Sequence, residues 1–488
     1  MRNPGKERMT SGFGRHLHVF LFALYPILLL YQQNLGEAAW ARTIHPILVA
    51  LALALLLWLG LGFLLADRDK RAVAAIVILL AAWYYKLILD LLAAALEPLL
   101  PGSVPLFAHA LLVASVAAAL FFIRRSSRSF TNASRILRAI TFILVAWSLG
   151  AIILHHARGI GGRQDRQPLR TNEFTPLPSA AAKPDIYCIF LDEFASLESV
   201  RTLFGLDQSR FAARLRGSGF FIAEKSRGLH LETPAAIASV LNMENVPARG
   251  NATSLVQRNK VARFLKENGY AIYDFPYLDL AAQDLAQEHV ALPLTDRSIF
   301  FDDFTKALFD MSVLYALSRN WQMDEGQYLS YVRHQVLYVF EQLPAIARRP
   351  GPKFVLVHLY SPHVPFVFNR DGGAVPPEHS LDYSQRKYYL EQYLYISRRA
   401  AGMAEAILRE SSTPPIILLM SDHGYRGSFR KPLLHVVPLA EKRKVFLAMH
   451  LPGYPASQLD PALAPVNVFR MIFNHYFGQN LPLQSNPE

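Results

Sequence analysis

The chain has 488 residues, 52% of them hydrophobic, and carries a formal net charge of +12 at pH 7. It is too long for one ordinary domain, and its apolar residues are concentrated near the amino terminus. The single cysteine, Cys188, excludes an internal disulfide and is best interpreted as a small core thiol. Part of the positive charge lies beside the apolar stretches, so it indicates membrane topology and not nucleic-acid binding.

Five apolar stretches fill the first 156 residues, most of them close to the ~20 residues that a bilayer-spanning helix needs. These stretches are residues 17–31, 44–66, 72–95, 106–123 and 136–154. We therefore expect an α-helical transmembrane bundle of five spans in residues 1–156. A cleaved signal peptide is a weaker interpretation, because four apolar stretches follow the first and no small-residue cleavage site precedes them.

Basic residues border these stretches on one side of the expected membrane. They precede the first stretch, follow the second and follow the fourth, at Arg2, Lys6, Arg8, Arg15, Arg68, Lys70, Arg71, Arg124, Arg125, Arg128, Arg135 and Arg138. The opposite loops contain Arg42 as their one basic residue. The positive-inside rule then places the amino terminus in the cytoplasm. Five spans would make this an integral inner-membrane protein with a periplasmic carboxyl-terminal domain.

Two ionisable residues, Lys86 and Asp90, interrupt the third apolar stretch. Because they are four residues apart, they lie on one face of a helix. Two interpretations are open. The pair contacts a lipid head group below the exported domain, or the two side chains form a mutual ion pair that reaches the membrane interface.

Beyond the spans, residues 157–183 have the Gly, Pro, Arg and Gln content of a linker. Short apolar runs then alternate with amphipathic stretches from residue 184 to residue 488, which predicts an α/β exported domain with a largely parallel sheet. The predicted strands are 186–191, 271–274, 354–359, 416–420 and 445–449. The predicted helices are 234–243, 255–268, 327–347 and 384–409.

Candidate metal ligands follow two of these predicted strands. Asp192 and Glu193 come directly after the first strand, and Asp422 and His423 come after the fourth. In a parallel sheet, ligands collect at the carboxyl ends of the strands. Carboxylate and imidazole groups there suit zinc, manganese or magnesium. Each pair alone could be a helix cap or a turn, but together they favour a divalent metal site.

A candidate nucleophile, Thr233, begins the predicted helix that lies between the two acidic strands. The sequence Thr233-Pro234 before an apolar helical pattern predicts an N-cap followed by proline at the first helical position. A helix N-terminus also binds anions such as a phosphoryl group. A metal touching the hydroxyl would activate it as a nucleophile. The alternative is that Thr233 only caps the helix.

Other candidate site residues follow the predicted strands 354–359 and 416–420. His363 lies in a proline-rich loop and is suited to be a ligand or a donor to a transferred oxygen, or it is a loop histidine facing solvent. His358 lies inside its strand and is expected to be a core histidine. Arg426 and Arg430 are candidate charge clamps for a phosphate group.

In chain order these segments resemble the alkaline phosphatase superfamily, and within it the membrane-anchored sulfatase-like branch that includes lipoteichoic acid synthases and lipid A phosphoethanolamine transferases. The resemblance covers residues 184–475. The segments that carry it are Pro184 to Asp192, Thr233 to Met243, His358 to Phe366, Ser421 to Gly424, Leu451 to Gly453 and Val466 to Asn474.

The resemblance implies roles for the site residues. Asp192 looks like the first acidic metal ligand, with Glu193 in a second acidic position, and Asp422 and His423 look like the remaining ligands. Thr233 looks like a metal-contacting nucleophile that carries a covalent phospho-intermediate. The resemblance also makes His363 a substrate or second-metal contact, and His435 a further zinc ligand.

Two departures from the family narrow the expected chemistry. The segment after Thr233 is not the Cys/Ser-x-Pro-x-Arg motif from which sulfatases make formylglycine, so phosphoryl chemistry is favoured. The chain also lacks the cysteines for the disulfides that are common in exported phosphoethanolamine transferases.

The expected activity is a metal-dependent phosphotransferase that moves a phospho-substituent from a membrane lipid to an envelope lipid or glycan. One alternative is a phosphoester hydrolase of the same fold. The other is a catalytically silent membrane protein that senses lipid.

Overall fold

The computed structural model describes eleven segments, which are residues 14–35, 40–96, 104–161, 174–175, 183–247, 252–275, 285–293, 303–316, 323–382, 386–427 and 437–485. The chain divides into two compact units. The first contains residues 1–166 together with 300–328, and the second contains residues 167–299 and 329–488. The predicted boundaries, 1–156, 157–183 and 184–488, assign segment 300–328 to the exported domain, whereas it clusters with the helical unit.

The first unit is helical. Its helices before residue 162 are α1 (His18–Gln33), α2 (Ala41–Leu64), α3 (Arg68–Trp83), α4 (Tyr85–Leu96), α5 (Val104–Arg125) and α6 (Thr131–Gly161). Asp67 caps α3, where its side chain accepts hydrogen bonds from the Asp69 and Lys70 amides. Leucine, isoleucine and phenylalanine side chains remain exposed along α2, α5 and α6, as expected for surfaces that face lipid.

The number of candidate spans is smaller than predicted. Within the described residues, three helices are long and apolar enough to cross a membrane, or four if a bent pair counts as one span. The bent pair is α3 and α4, which meet at an angle of 73°. Helix α1 is apolar but has only 16 residues. The expectation of five spans is therefore not confirmed, because one stretch is short and another is broken.

The second unit is built on a seven-stranded sheet. Its strands are β1 (Ile186–Leu191), β2 (Phe221–Ile222), β3 (Ala271–Phe275), β4 (Glu288–His289), β5 (Lys353–Leu359), β6 (Ile416–Ser421) and β7 (Leu447–His450). Their order across the sheet is β2-β7-β6-β1-β5-β3-β4. Five strands pair parallel with one another, in the order β6, β1, β5, β3 and β4. Strand β7 pairs antiparallel with both β6 and β2. The sheet is thus mixed, with a parallel centre and an antiparallel edge.

Helices connect these strands along the chain. Those preceding β5 are α7 (Leu197–Phe204), α8 (Ser209–Gly217), α9 (Thr233–Asn242), α10 (Ala252–Gln257) and α11 (Lys260–Glu267), then α12 (Asp303–Met311), which belongs to the first unit, and α13 (Met323–Ala347). Those following β5 are α14 (Pro377–Ser380), α15 (Arg386–Glu410), α16 (Leu439–Lys442) and α17 (Val468–Phe477). One predicted helix, 255–268, is two helices, because the Asn259 side chain accepts from the Ala262 amide and starts α11 anew.

The central strand of the second unit, β1, lies in the hydrophobic core. Every residue of β1 is fully buried, between a layer that includes α9, α11 and α17 and the helices of the other face. Strands buried on both faces have continuous apolar sequences. The carboxyl end of β1 lies between β5 and β6, its two parallel neighbours.

Candidate metal centre and nucleophile

The register of the three central strands brings a histidine and two aspartates to one face of the sheet. Phe190 of β1 pairs with His358 of β5 and with Met420 of β6. Side chains alternate along a strand, so residues two positions further on return to the same face. Asp192 follows Phe190 by two residues, and Asp422 follows Met420 by two.

These three side chains form a buried cluster at the carboxyl ends of the strands. Ligand atoms of Asp192, His358 and Asp422 all lie within 4.8 Å of one another. The Nε2 atom of His358 is 3.6 Å from Oδ2 of Asp192. Each of the three residues is at most 5% exposed. The cluster therefore combines two carboxylates and an imidazole away from bulk water.

His423 completes the cluster and has a defined tautomer. Its Nδ1 atom lies 2.9 Å from the carbonyl oxygen of Gly424, so Nδ1 must donate the hydrogen bond. In the neutral ring this leaves a lone pair on Nε2, which lies 3.3 Å from Oδ2 of Asp422 and 3.6 Å from Oδ1 of Asp192. One ring nitrogen and two carboxylate oxygens thus face one another in the cluster.

Asp422 is the residue that joins the cluster to the candidate nucleophile. Its Oδ1 atom accepts hydrogen bonds from the amides of Glu193, at 3.1 Å, and His423, at 2.9 Å. Its Oδ2 atom accepts from the Thr233 hydroxyl at 2.6 Å. Asp422 is therefore held by two fixed backbone donors, while its second oxygen orients the hydroxyl.

Thr233 lies at the start of α9 but does not cap it. The residue before it, Glu232, occupies the cap position and makes no side-chain hydrogen bond there, and Thr233 is the first helical residue. The expected N-cap role is thus wrong, because the hydroxyl donates to Asp422 instead of accepting from the helix. Pro234 lies in the first turn but is the second helical residue, one position later than predicted.

Burial and neighbouring charges set the protonation of the cluster. Burial and the nearby Asp422 carboxylate raise the pKa of Asp192 well above its ordinary value. Burial also disfavours the charged form of Asp422, but the imidazoles of His423 and His358 and the Thr233 hydroxyl together lower its pKa. Burial lowers the pKa of His423, and that of His358 to about 4. Both rings are therefore neutral at pH 7, the form that binds metals.

Glu193 forms a second pair, with His363. Its Oε1 atom accepts from the amide of Arg426 at 2.8 Å, and its Oε2 atom lies 3.8 Å from Nε2 of His363. The His363 ring donates from Nδ1 to the Val364 carbonyl at 2.5 Å. Glu193 also has a φ of +57°, a strained conformation for a non-glycine residue. Its role as a ligand of the same metal as Asp192 remains a prediction.

The predicted charge clamps are only partly described. The Arg426 guanidinium is half-buried and donates from Nη1 to the Leu231 carbonyl at 3.1 Å, two residues before Thr233. Arg430 and His435 lie outside the described residues. Four of the described site residues lie around Asp422, namely Asp192, Glu193, Thr233 and His423. His363 and Arg426 contact Glu193 instead. The catalytic and ligand roles of all these residues stay predictions.

Sequence reasoning missed His358, which was expected to be an ordinary core histidine. It is buried, but its neighbours are Asp192 and Asp422. The alternation of side chains between the two faces of a strand was a signal available in the sequence. His358 lies one residue before the last apolar residue of its predicted strand, just as Phe190 does in the first, and Phe190 shares a face with Asp192.

The residues of this centre fit a divalent cation. Oδ1 of Asp192 and Nε2 of His423 are buried and have no hydrogen-bond donor among the described residues. Two carboxylates that close to each other cannot both be ionised in an apolar site unless a positive charge is added. Two aspartates with neutral imidazoles form a ligand set that zinc and manganese accept. A buried Asp-His-Asp group therefore could hold a metal ion.

No protein-family model and no curated protein matches the chain. Solved structures to which it is similar include phosphoethanolamine transferases and sulfatases. The integral membrane lipooligosaccharide phosphoethanolamine transferase EptA of Neisseria meningitidis is similar over 94% of this chain and 95% of its own, with 10% identity and a TM-score of 0.41. The periplasmic domain of EptC from Escherichia coli, in complex with Zn, is similar over 63% and 88%, with 13% identity and a TM-score of 0.38. A 2-O GAG sulfatase is similar over 62% and 72%, with 14% identity and a TM-score of 0.38.

Proposed function

We propose that this protein is a metal-dependent, membrane-bound phosphotransferase that moves a phospho-substituent from a lipid donor to an envelope lipid or glycan through a covalent adduct on Thr233. The observation that carries the proposal is the 2.6 Å hydrogen bond from the Thr233 hydroxyl to Asp422. It joins a hydroxyl at a helix N-terminus to a carboxylate of the candidate metal centre.

The metal would be held by Asp192, His358, Asp422 and His423, and zinc, manganese and magnesium are the candidates. Such a cation supplies positive charge that stabilises the phosphoryl oxygens and lowers the pKa of an adjacent hydroxyl. Glu193 and His363 form a separate pair beside it, which could contact the substrate or a second cation.

The proposed reaction has two steps, in which the residues of the chain have the following roles. In the first, Thr233 Oγ1 attacks the donor phosphorus, the P–Oγ bond forms, and the bond to the donor alcohol breaks. Asp422 orients the attacking hydroxyl, and the proton that Thr233 loses balances the proton that the leaving alcohol gains. In the second step an acceptor hydroxyl attacks the same phosphorus and Thr233 regains its proton. Backbone amides in the first turn of α9 and the Arg426 side chain favour the negative charge of the phosphoryl group.

The helical unit supports a membrane setting for this chemistry. Its three or four candidate spans and the basic residues beside them favour an inner-membrane protein whose amino terminus is cytoplasmic. We propose a periplasmic location for the second unit, where lipid donors and envelope acceptors are both accessible. This orientation is testable by labelling single cysteines introduced on each side of the membrane in a Cys188→Ser background.

The decisive measurement is whether a covalent phospho-adduct forms on Thr233. The full-length protein in detergent is incubated with manganese or zinc and vesicles of phosphatidylethanolamine and phosphatidylglycerol that carry a labelled head-group phosphate. We expect label on the wild-type protein and none on Thr233→Ala, with partial labelling of Thr233→Ser. Thr202→Ala, which changes an exposed threonine of α7, is the matched control and should label normally. Undiminished labelling of Thr233→Ala would refute the proposed nucleophile.

The two alternatives give different results in the same experiment. A hydrolase would form the adduct and release phosphate or a phosphoalcohol to water without transfer to any added alcohol. A lipid sensor would bind the vesicles but form no adduct and contain no metal after purification. The buried lone-pair atoms of Asp192 and His423 favour a metal-loaded protein over a sensor.

A further inference from the structure

A small cleft runs along the face of α9 that carries Thr233. The lining residues that matter here are His230, Ala236, Ser239, Val240, Ser421 and Asp422. Positions 233, 236 and 240 are spaced by three and four residues, so they share one face of the helix. The cleft therefore begins one helical turn from the nucleophile, and Asp422, which accepts the Thr233 hydrogen bond, forms part of its wall.

His230 is the unexplained residue in this cleft. It is 8% exposed, and its Nε2 atom has no hydrogen-bond partner among the described residues. A buried ring nitrogen without a partner is costly, and such groups need an explanation. Burial lowers the pKa of His230, so the ring is neutral at pH 7 and can both donate and accept a hydrogen bond.

The size and chemistry of the cleft limit what it can hold. Its accessible space is ≈ 20 Å³, enough for about one water-sized group. A lipid with acyl chains does not fit, but a water molecule or one hydroxymethyl arm of a larger molecule does. The two buried hydroxyls of the lining are already engaged, because the Ser239 oxygen accepts from the Val246 amide at 3.0 Å and the Ser421 oxygen accepts from the Phe446 amide at 2.8 Å. Of the described residues that line the cleft, His230 alone has a buried side-chain nitrogen or oxygen with no hydrogen-bond partner, so it is the group left to bind the guest.

We propose that this cleft positions the attacking oxygen of the second step, which belongs to water or to a primary alcohol, through a hydrogen bond to His230. The inference rests on the proposed function, because it needs a phospho-adduct on Thr233. In this step the attacking oxygen forms a bond to phosphorus and the P–Oγ bond to Thr233 breaks. The proton of the attacking hydroxyl replaces the one that Thr233 lost in the first step. His230 is a positioning residue in this scheme and is not consumed.

The test separates the two half-reactions of the full-length protein, with glycerol as the probe alcohol. Adduct formation is measured from the labelled vesicles described above, and adduct decay is measured after excess donor is removed, with and without glycerol. For His230→Ala we expect adduct formation within about twofold of wild type and adduct decay slower by about tenfold, the kinetic equivalent of one lost hydrogen bond. The adduct should therefore accumulate.

Two further variants make the result specific. His230→Asn keeps a hydrogen-bonding group and should recover a large part of the decay rate, whereas a purely structural role would not be rescued in this way. Ala236→Val narrows the cleft without removing a polar group. It should reduce transfer to glycerol more than hydrolysis by water, which distinguishes the two sources of the attacking oxygen. His475→Ala, on an exposed position of α17, is the matched histidine control.

Equal loss of both half-reactions in His230→Ala, or no change in either, would overturn the assignment of His230. A rate of decay that Asn does not restore would also contradict it. A wild-type protein that forms no adduct gives a different result, because it refutes the proposed function before the role of His230 is reached.

Discussion

Each of the two units contains a cluster of ionisable side chains, but the second-unit cluster is buried and rich in carboxylates, whereas the first-unit cluster is partly exposed and rich in basic groups. In the second unit, Asp192 and Asp422 share a site with neutral imidazoles. In the first unit a single carboxylate, Asp69, accepts from the Thr131 hydroxyl at 2.8 Å and lies among basic groups, with Arg15 at 4.0 Å and His16 at 3.9 Å.

The difference shows what kind of partner each cluster requires. An excess of buried carboxylate is unstable unless a cation is added, whereas a carboxylate already surrounded by arginine and histidine is balanced by the chain itself. Within the part of the chain that the structure describes, only the second-unit cluster brings three metal-ligand atoms together. Metal binding and catalysis should therefore depend on one cluster and not on the other.

The largest expected effect follows from Asp422→Ala. It removes both a candidate metal ligand and the acceptor of the Thr233 hydrogen bond, so we expect transfer to fall on the order of 1,000-fold, as for loss of a preorganised electrostatic group. Metal content measured by mass spectrometry should fall with it. The comparison is sharpened by Asp69→Asn, which should leave the metal content of the folded protein unchanged. Equal metal loss in both variants would contradict the contrast between the clusters.

The next test concerns a buried ion pair whose two opposite charges compensate each other. Lys353 and Asp185 are both nearly inaccessible, with Nζ 2.5 Å from Oδ2, and Lys353 is the first residue of β5, at the strand end opposite His358. Lys353→Met leaves an uncompensated buried carboxylate and should lower the free energy of unfolding by about 3 kcal/mol. Denaturant unfolding of the second unit measures the change. Adding Asp185→Asn should recover part of the loss, and no recovery would contradict the pairing.

His358 tests whether the residue that sequence reasoning missed belongs to the metal centre. His358→Gln keeps the approximate side-chain volume but removes the imidazole, and we expect metal affinity to fall roughly 10- to 100-fold. His334→Gln, on α13, is the matched control. Competition with a chelating dye measures the affinity. An unchanged affinity in His358→Gln would return this residue to the role of a core histidine.

The smallest effect is expected from the exposed pair in α4. Lys86 and Asp90 form an ion pair at 3.0 Å, but their side chains are 42% and 63% exposed. Asp90→Asn should therefore change the thermal stability by less than about 1 kcal/mol. A large loss of lipid-dependent labelling in this variant, at unchanged stability, would support the alternative that the pair contacts a head group.

The site was more predictable than the helical unit for physical reasons. Strand β1 has the predicted ends, because a strand buried on both faces is a continuous apolar run bounded by polar residues. Asp192 and Asp422 were found because parallel strands share a carboxyl edge. Strand β2 has only two residues, and its existence depends on pairing with β7, so no local pattern could indicate it.

The first unit contains the least predictable feature, which is the return of the chain to the helices near residue 303. Phe304 and Leu308 of α12 are buried in a cluster with Ile27 and Val145. Their sequence pattern is that of any amphipathic helix, and it does not reveal which surface they cover. The sequence does not indicate the break between α3 and α4 either, because the residue at the break, Tyr84, is neither proline nor glycine.

The same return has a practical consequence for dissecting the protein. The Val313 amide donates to the carbonyl of Ala82 at 2.6 Å, beside the break between α3 and α4. A soluble fragment cut at residue 183 would carry α12 without its apolar cover, and a fragment of only the first 161 residues would lose the donor that satisfies that carbonyl. The two halves should therefore be expressed as one polypeptide, or Phe304 and Leu308 should be replaced with polar residues before the halves are separated.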